Sequence, residues 1–135
     1  MVGGLLYLTH MRPDLTFAVS LVSRYMQSPT KHHMGSVKRI FHYVSSIVNK
    51  GIRYKYVKNF ELKGYVDSDW EGCVDDRQST TNWVFDLGSG AIVWSSKKQE
   101  VIALSSTKAK YVDMTSAACQ AVWMRRLLVD LGVQQ

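Results

Sequence analysis

The stretch "YVDSDWEGCVDD" places Asp67, Asp69, Glu71, Asp75 and Asp76 close together in the chain. Hard oxygen ligands in this density suit Mg²⁺, and two-metal cleavage of a phosphodiester uses carboxylates of this kind drawn from several elements. One cluster is not enough, so a second element must bring acids to the same place. The later element whose start should lie near the strand ends opens in "LSSTKAKYVD", Leu104 to Asp113. There Leu104 reads as a staple residue and Ser105, Ser106 and Thr107 as N-cap candidates, after which a capping box asks for Glu or Gln. Lys108 and Lys110 stand there instead. Each ammonium sits near the positive end of a helix dipole, at a cost of about 0.3 to 1 kcal/mol. Read from composition alone, the acidic stretch is a loop without a metal.

Other chemistry is sparse. His10, His32, His33 and His42 match no zinc spacing, and Cys73 and Cys119 form neither a ligand pair nor a disulfide framework. Gly88 to Gly90 reads as a hairpin turn and not as a phosphate cradle. No nucleophile, base and orienting group are recognisable together.

The elements that must position these residues follow from periodicity. Pro13 and Asp14 open a helix that carries Phe17, Ala18, Leu21, Val22, Tyr25 and Met26 on its apolar face until Ser28 and Pro29 stop it. After Thr30, Met34, Val37, Ile40, Phe41, Val44, Ile47 and Val48 repeat the pattern up to Gly51, which predicts a helical hairpin. From there the period becomes two. "IRYKYV" and "ELKGYVDSDW" read as paired strands joined around Asn59, "CVDDRQSTTN" as a polar loop, and "WVFDL" and "AIVWSSK" as further strands of an antiparallel meander. A long helix from Thr107 to Leu131 follows, with Ala109, Val112, Ser116, Cys119, Trp123, Leu127 and Leu131 as the face expected to cover the sheet. The expected class is α+β, divided into residues 1–51 (helical) and 52–135 (strands and covering helix).

Four segments, "GGLLYLTHMRPDLTFAVSLVSRYMQSPTKHHMGSVKRIFHYV", "GYVDSDWEGCVDDRQST", "IVWSSKKQEVIALSSTKAKY" and "AVWMRRLLVDLG", closely resemble in that order the Pol polyprotein of Ty1/copia-type LTR retrotransposons. The resemblance runs along essentially the whole chain. It implies a remnant of the reverse transcriptase thumb or connection over 1–51, then a truncated ribonuclease H-like unit over 52–135. In that family an Asp ending the first strand, matched by Asp67, binds catalytic Mg²⁺ with a Glu of the first covering helix. The familiar helix motif is similar to "SSTEAEY"; Ser105 to Tyr111 read SSTKAKY, so Lys110 occupies the catalytic Glu position. Each Glu to Lys change is one G to A transition. At ~4 Å and an effective dielectric of 20, each misplaced charge weighs about 4 kcal/mol, so the metal pair is not expected to assemble. The chain also ends before the later carboxylates of the family. The resemblance therefore implies no intact catalytic residue, a vestigial Asp67, no cofactor and no ribonuclease activity.

Lys and Arg outnumber Asp and Glu by 17 to 11, a formal charge of +6, which favours an anionic partner. Lys31, Lys38, Arg39, Lys97 and Lys98 are the candidates for weak, salt-dependent contact with nucleic acid. No apolar run is long enough to cross a bilayer, since Arg12, Asp14, Arg24, Lys31 and Lys38 interrupt the first half. The first twenty residues lack the basic start of a secretory signal and carry Arg12 and Asp14. Short chains of this copia-derived type also occur among secreted RxLR-type effectors of oomycetes, which act in the host plant cell on defence or cell death. That is the alternative expectation, with a host protein as partner, although no Arg-x-Leu-Arg occurs. Localisation follows the reading: intracellular for a transposon remnant, secreted into the host cell for an effector.

Overall fold

Pro13 at the first helical position and Thr30 as an N-cap open the two helices that the periodicity predicts. The structure, a computed structural model, describes residues 1–58, 60–69 and 77–133. They form an α+β protein of two compact units, Met1–Ile52 and Arg53–Gln135.

The first unit holds three helices: α1 (Val2–Leu8), α2 (Pro13–Ser23) and α3 (Lys31–Ser46). The hairpin is thus joined by a helix the sequence reading left out. With Gly3 and Gly4 in seven residues, α1 has poor propensity and little periodicity. Tertiary burial holds it: Leu5 is wholly enclosed, beside Leu15, Val19, Val22, Val37 and Ile40. α2 also ends earlier than expected. Tyr25 and Met26 donate to the carbonyls of Val22 and Ser23 at 3.3 and 3.4 Å, i to i−3 bonds that tighten the chain out of the helix. Phe17 and Leu21, read as core, stand on the exposed side; Leu15 and Val19 take their place.

Two polar fastenings complete this unit. Arg12 donates from Nε and Nη2 to the two Asp14 oxygens at 2.9 and 2.8 Å, and Tyr43 of α3 donates to Asp14 Oδ2 at 2.9 Å. At the other end of α3, Thr30 and His33 cap one another, and the His33 ring stacks on Tyr25 at 4.1 Å.

The second unit is a three-stranded antiparallel meander, β1 (Leu62–Asp69), β2 (Thr80–Leu87) and β3 (Ala91–Lys98), in the order β1-β2-β3, followed by α4 (Ser106–Asp130). Residues 52–57 are not a strand, contrary to the period-two reading. β2 is already paired on both edges by β1 and β3. The segment instead docks on the β2–β3 turn: Tyr54 donates to the Ala91 carbonyl at 2.6 Å, and the Lys55 N–H donates to Ser89 Oγ at 2.9 Å. Gly88 turns there with φ +77°, and a Cβ would stand 2.9 Å from Phe60 Cβ, so the position needs glycine twice over. Thr80, Thr81 and Asn82, read as loop, begin β2. The expected turn at Asn59, and Trp70, Glu71, Cys73, Asp75 and Asp76, lie outside the described residues.

The buried stripe of α4 is Ala109, Asp113, Ala117, Met124 and Leu128, while Trp123, Leu127 and Leu131 are exposed. The helix is therefore rotated by about one residue, roughly 100°, from the expected face. Small residues explain the choice. Gly64 of β1 lies against Phe85 so closely that a Cβ would meet the ring at 2.5 Å, and alanines on α4 fit against such a floor where large side chains do not.

Candidate functional site

The two strands that flank the β1–β2 loop set the position of every acid described near it. Asp69 accepts a hydrogen bond from the Thr80 N–H, closing the end of the ladder. Asp67 lies two residues earlier, opposite Asn82, and is exposed. Its direction follows from the register. Thr81 donates its hydroxyl to Asp113 of α4, so Thr81 faces the helix, and so does its partner Ser68. Side chains alternate along a strand, which turns Asp67 to the opposite face of the sheet.

At the start of α4, Ser105 is the N-cap and its hydroxyl accepts the Lys108 N–H at 3.2 Å. Lys108 occupies the third helical position, where a capping box takes a carboxylate, and the first turn holds no acid. Lys110 is exposed, one turn before Met114, on the flank of the helix that looks towards β1. Among the described residues no hydrogen bond or ion pair joins Asp67 to either lysine.

The carboxylate that α4 does send to the sheet is Asp113, and the sequence reading missed it. Asp113 has no solvent exposure; its Oδ1 accepts from the Thr81 hydroxyl and from Gln99 Nε2 at 2.7 Å. Gln99 also donates to the Ala109 carbonyl at 3.2 Å and to Thr81 Oγ1 at 3.3 Å. The available signal was an acid four residues after Ala109 on what proves to be the buried stripe.

Do the described groups fit the Mg²⁺ used by the family that the chain resembles? They do not. Asp67 faces away from α4, Asp113 is taken up by Thr81 and Gln99, and the exposed groups at the helix start are two cations. Among the described residues no three His, Cys, Asp or Glu side chains gather in a metal-binding group. No catalytic step through a metal is derived for this arrangement.

The basic candidates fall in both units. Lys31, Lys38 and His42 follow one flank of α3 at seven- and four-residue steps, exposed, and α3 contains no acid along its length. Arg39 stands on the neighbouring flank, beside Ser36 and Tyr43, at a cleft of about 580 Å³ between α2 and α3. In the second unit Lys97 reaches Glu100 at 3.3 Å with both side chains in solvent, and Lys98 is half-buried at the end of β3. No described helix is long and apolar enough to cross a membrane.

A three-helix unit followed by an antiparallel meander and a covering helix, with a sheet-end aspartate, is the arrangement to compare with known proteins. The chain is 40% identical over 133 residues to the retrovirus-related Pol polyprotein from transposon RE2 of Arabidopsis thaliana, matching 98% of this chain and 9% of that protein. It is 38% identical over 135 residues to the Pol polyprotein from transposon TNT 1-94 of Nicotiana tabacum, 99% of this chain and 10% of that protein. It is also 38% identical over 124 residues to secreted RxLR effector protein 161 of Plasmopara viticola, covering 91% of this chain and 87% of that protein. No family model matches, and no solved structure does. Nearly the whole chain is thus similar to one segment of copia-type retrotransposon Pol polyproteins, of which it spans about a tenth.

Proposed function

We propose that this chain is a non-enzymatic remnant of the ribonuclease H region of a copia-type Pol protein, preceded by a thumb or connection remnant in residues 1–51. Asp67 is its vestigial metal ligand, and Lys110 stands in the position of the lost glutamate. The observation that carries this reading is the start of α4, where Lys108 and Lys110 put two positive charges at the helix end that should complete an acidic site. What remains is weak, salt-sensitive contact with nucleic acid through the exposed Lys31, Lys38 and Arg39 in one unit and the exposed Lys97 and half-buried Lys98 in the other.

The test is cleavage of a labelled RNA–DNA hybrid in Mg²⁺ and Mn²⁺ by the unmodified chain and by Asp67→Asn. The expected result is no cleavage by either. Cleavage by the unmodified chain that disappears with Asp67→Asn overturns the reading and makes the protein a nuclease with another ligand set.

A second reading rests on the likeness to the Plasmopara viticola effector, whose length the chain nearly spans. Under it the protein acts in a host plant cell on a protein partner. Expression of the chain inside host plant cells tests that reading: a change in defence or cell death supports it, and no change removes it.

A further inference from the structure

Thr30 is the N-cap of α3, and His33 stands at the third helical position, where a capping box ordinarily holds Glu or Gln. Here an imidazole takes that place. Its Nδ1 accepts the Thr30 N–H at 3.1 Å, while the His33 N–H donates to Thr30 Oγ1 at 3.4 Å. A backbone N–H can only donate, so Nδ1 presents a lone pair and the hydrogen of the ring is on Nε2. The box therefore exists only while His33 is neutral. Glutamine in the same position sets no such condition.

What a second proton would meet follows from the surroundings. On Nδ1 it points at the Thr30 N–H, which loses its acceptor, and the ring keeps only a bond to Thr30 Oγ1, 3.2 Å away. The charge falls at the positive end of the helix dipole, beside Lys31 and His32, and the first turn of α3 holds no acid. From the chain after α2, the Tyr25 ring stacks on His33 with centroids 4.1 Å apart; from α1, Met1 lines the same hollow as the ring; neither brings a negative charge. Residues 1–52 contain one acid, Asp14. It sits near the start of α2, about three turns from Tyr25, and is held there by Arg12 and Tyr43. One effect opposes: a charged ring is drawn to the face of Tyr25. That single exposed contact stands against two losses of similar size each, the cap and the helix end.

We infer that the Thr30–His33 box is a proton-sensitive latch on the first unit: neutral His33 fastens the start of α3, and a proton on Nδ1 opens it. The ring lines a hollow of about 410 Å³ that the core residues Val22 and Val37 also line. Opening the latch loosens one wall of that hollow, so acidification reaches the packing of α2 against α3 through one side chain.

The experiment compares the full chain with His33→Gln, which keeps a capping-box residue but takes up no proton where histidine does. Unfolding is followed by amide circular dichroism at points between about pH 8 and pH 5. His10, His32, His42 and Asp14 are common to both proteins, so the difference between the two curves isolates position 33. The unfolded chain accepts the proton and the closed box does not, so stability is present at the higher pH and lost as pH falls. The unmodified chain is expected to weaken relative to His33→Gln by about three- to tenfold in the ratio of folded to unfolded first unit. Nitrogen NMR of the ring gives an independent reading: in the neutral protein Nε2 carries the hydrogen, and the Thr30 amide signal moves together with the ring as acid is added. Parallel curves for the two proteins overturn the proposal. So does a chain that gains stability over His33→Gln on acidification, since the Tyr25 stack then governs the ring, and so does a hydrogen found on Nδ1 of the neutral ring.

Discussion

Among the described residues the Oδ2 oxygen of Asp113 is buried without a hydrogen-bond partner, and so is Oε1 of Gln99 beside it. A carboxylate in that position carries a desolvation cost that its two donors do not fully offset. The isosteric Asp113→Asn removes the charge and adds an N–H able to serve Gln99 Oε1, so thermal unfolding of that variant is expected at the same or a higher temperature. Thr81→Val, in contrast, removes a donor and leaves the acid behind, at a cost of about 1 to 3 kcal/mol. Equal destabilisation by the two variants would show that the charge itself holds α4 in place. A second residue-level prediction concerns acid. The hydrogen bonds from Arg12, and then that from Tyr43, hold the Asp14 carboxyl below its ordinary range, with burial opposing. A group depressed in the folded state stabilises above its unfolded value and loses that contribution as pH falls through the folded one. Asp14 therefore supports the fold above about pH 4, and acid unfolding of Asp14→Asn should lack this component below it. None of these partners was visible in the sequence: Asp113 was given no role there, and the Arg12–Asp14–Tyr43 contact spans two elements.

At the scale of elements, the start of α4 is the clearest case of local chemistry working against structure. Lys108→Glu restores a carboxylate to the third helical position behind the Ser105 cap, and Lys110→Glu removes a second charge from the positive end. Each change is expected to stabilise the helix by about 0.3 to 1 kcal/mol, read as a rise in unfolding temperature, and a fall would mean that the lysines make contacts elsewhere. Gly64→Ala is expected to do the reverse, since its Cβ must displace the Phe85 ring from the sheet. This is also the scale at which the sequence was most readable. α2, α3, the meander and α4 announce themselves through period and punctuation. α1 did not, because two glycines erase its propensity, and residues 52–57 misled, because alternation shows that a segment suits a strand and not that a strand lies beside it. The face of α4 was missed by one residue because its first buried positions, Ala109, Asp113 and Ala117, are small or acidic while Trp123, Leu127 and Leu131 remain in solvent.

At the scale of the whole molecule, two compact units with separate cores predict unfolding that is not a single event. The core of the first unit is a handful of aliphatic residues, so Leu5→Ala, at about 2 to 5 kcal/mol, should melt that unit at a temperature where the sheet persists. One loss common to both units, seen by differential scanning calorimetry, would show that they fold as one. Nucleic-acid affinity belongs to this scale as well. With a formal charge of +6, any binding should fall steeply with added salt, and Lys31→Glu with Lys38→Glu should weaken it for every sequence alike. The division into units has an optical consequence too. All four tryptophans, at positions 70, 83, 94 and 123, belong to the second unit, while the first absorbs only through Tyr7, Tyr25, Tyr43 and its phenylalanines. Indole emission is therefore blind to the whole first unit. A denaturation curve followed by that signal alone will report a sharp, reversible transition even when the helical half has already come apart, and only an amide-based signal recorded alongside will reveal it.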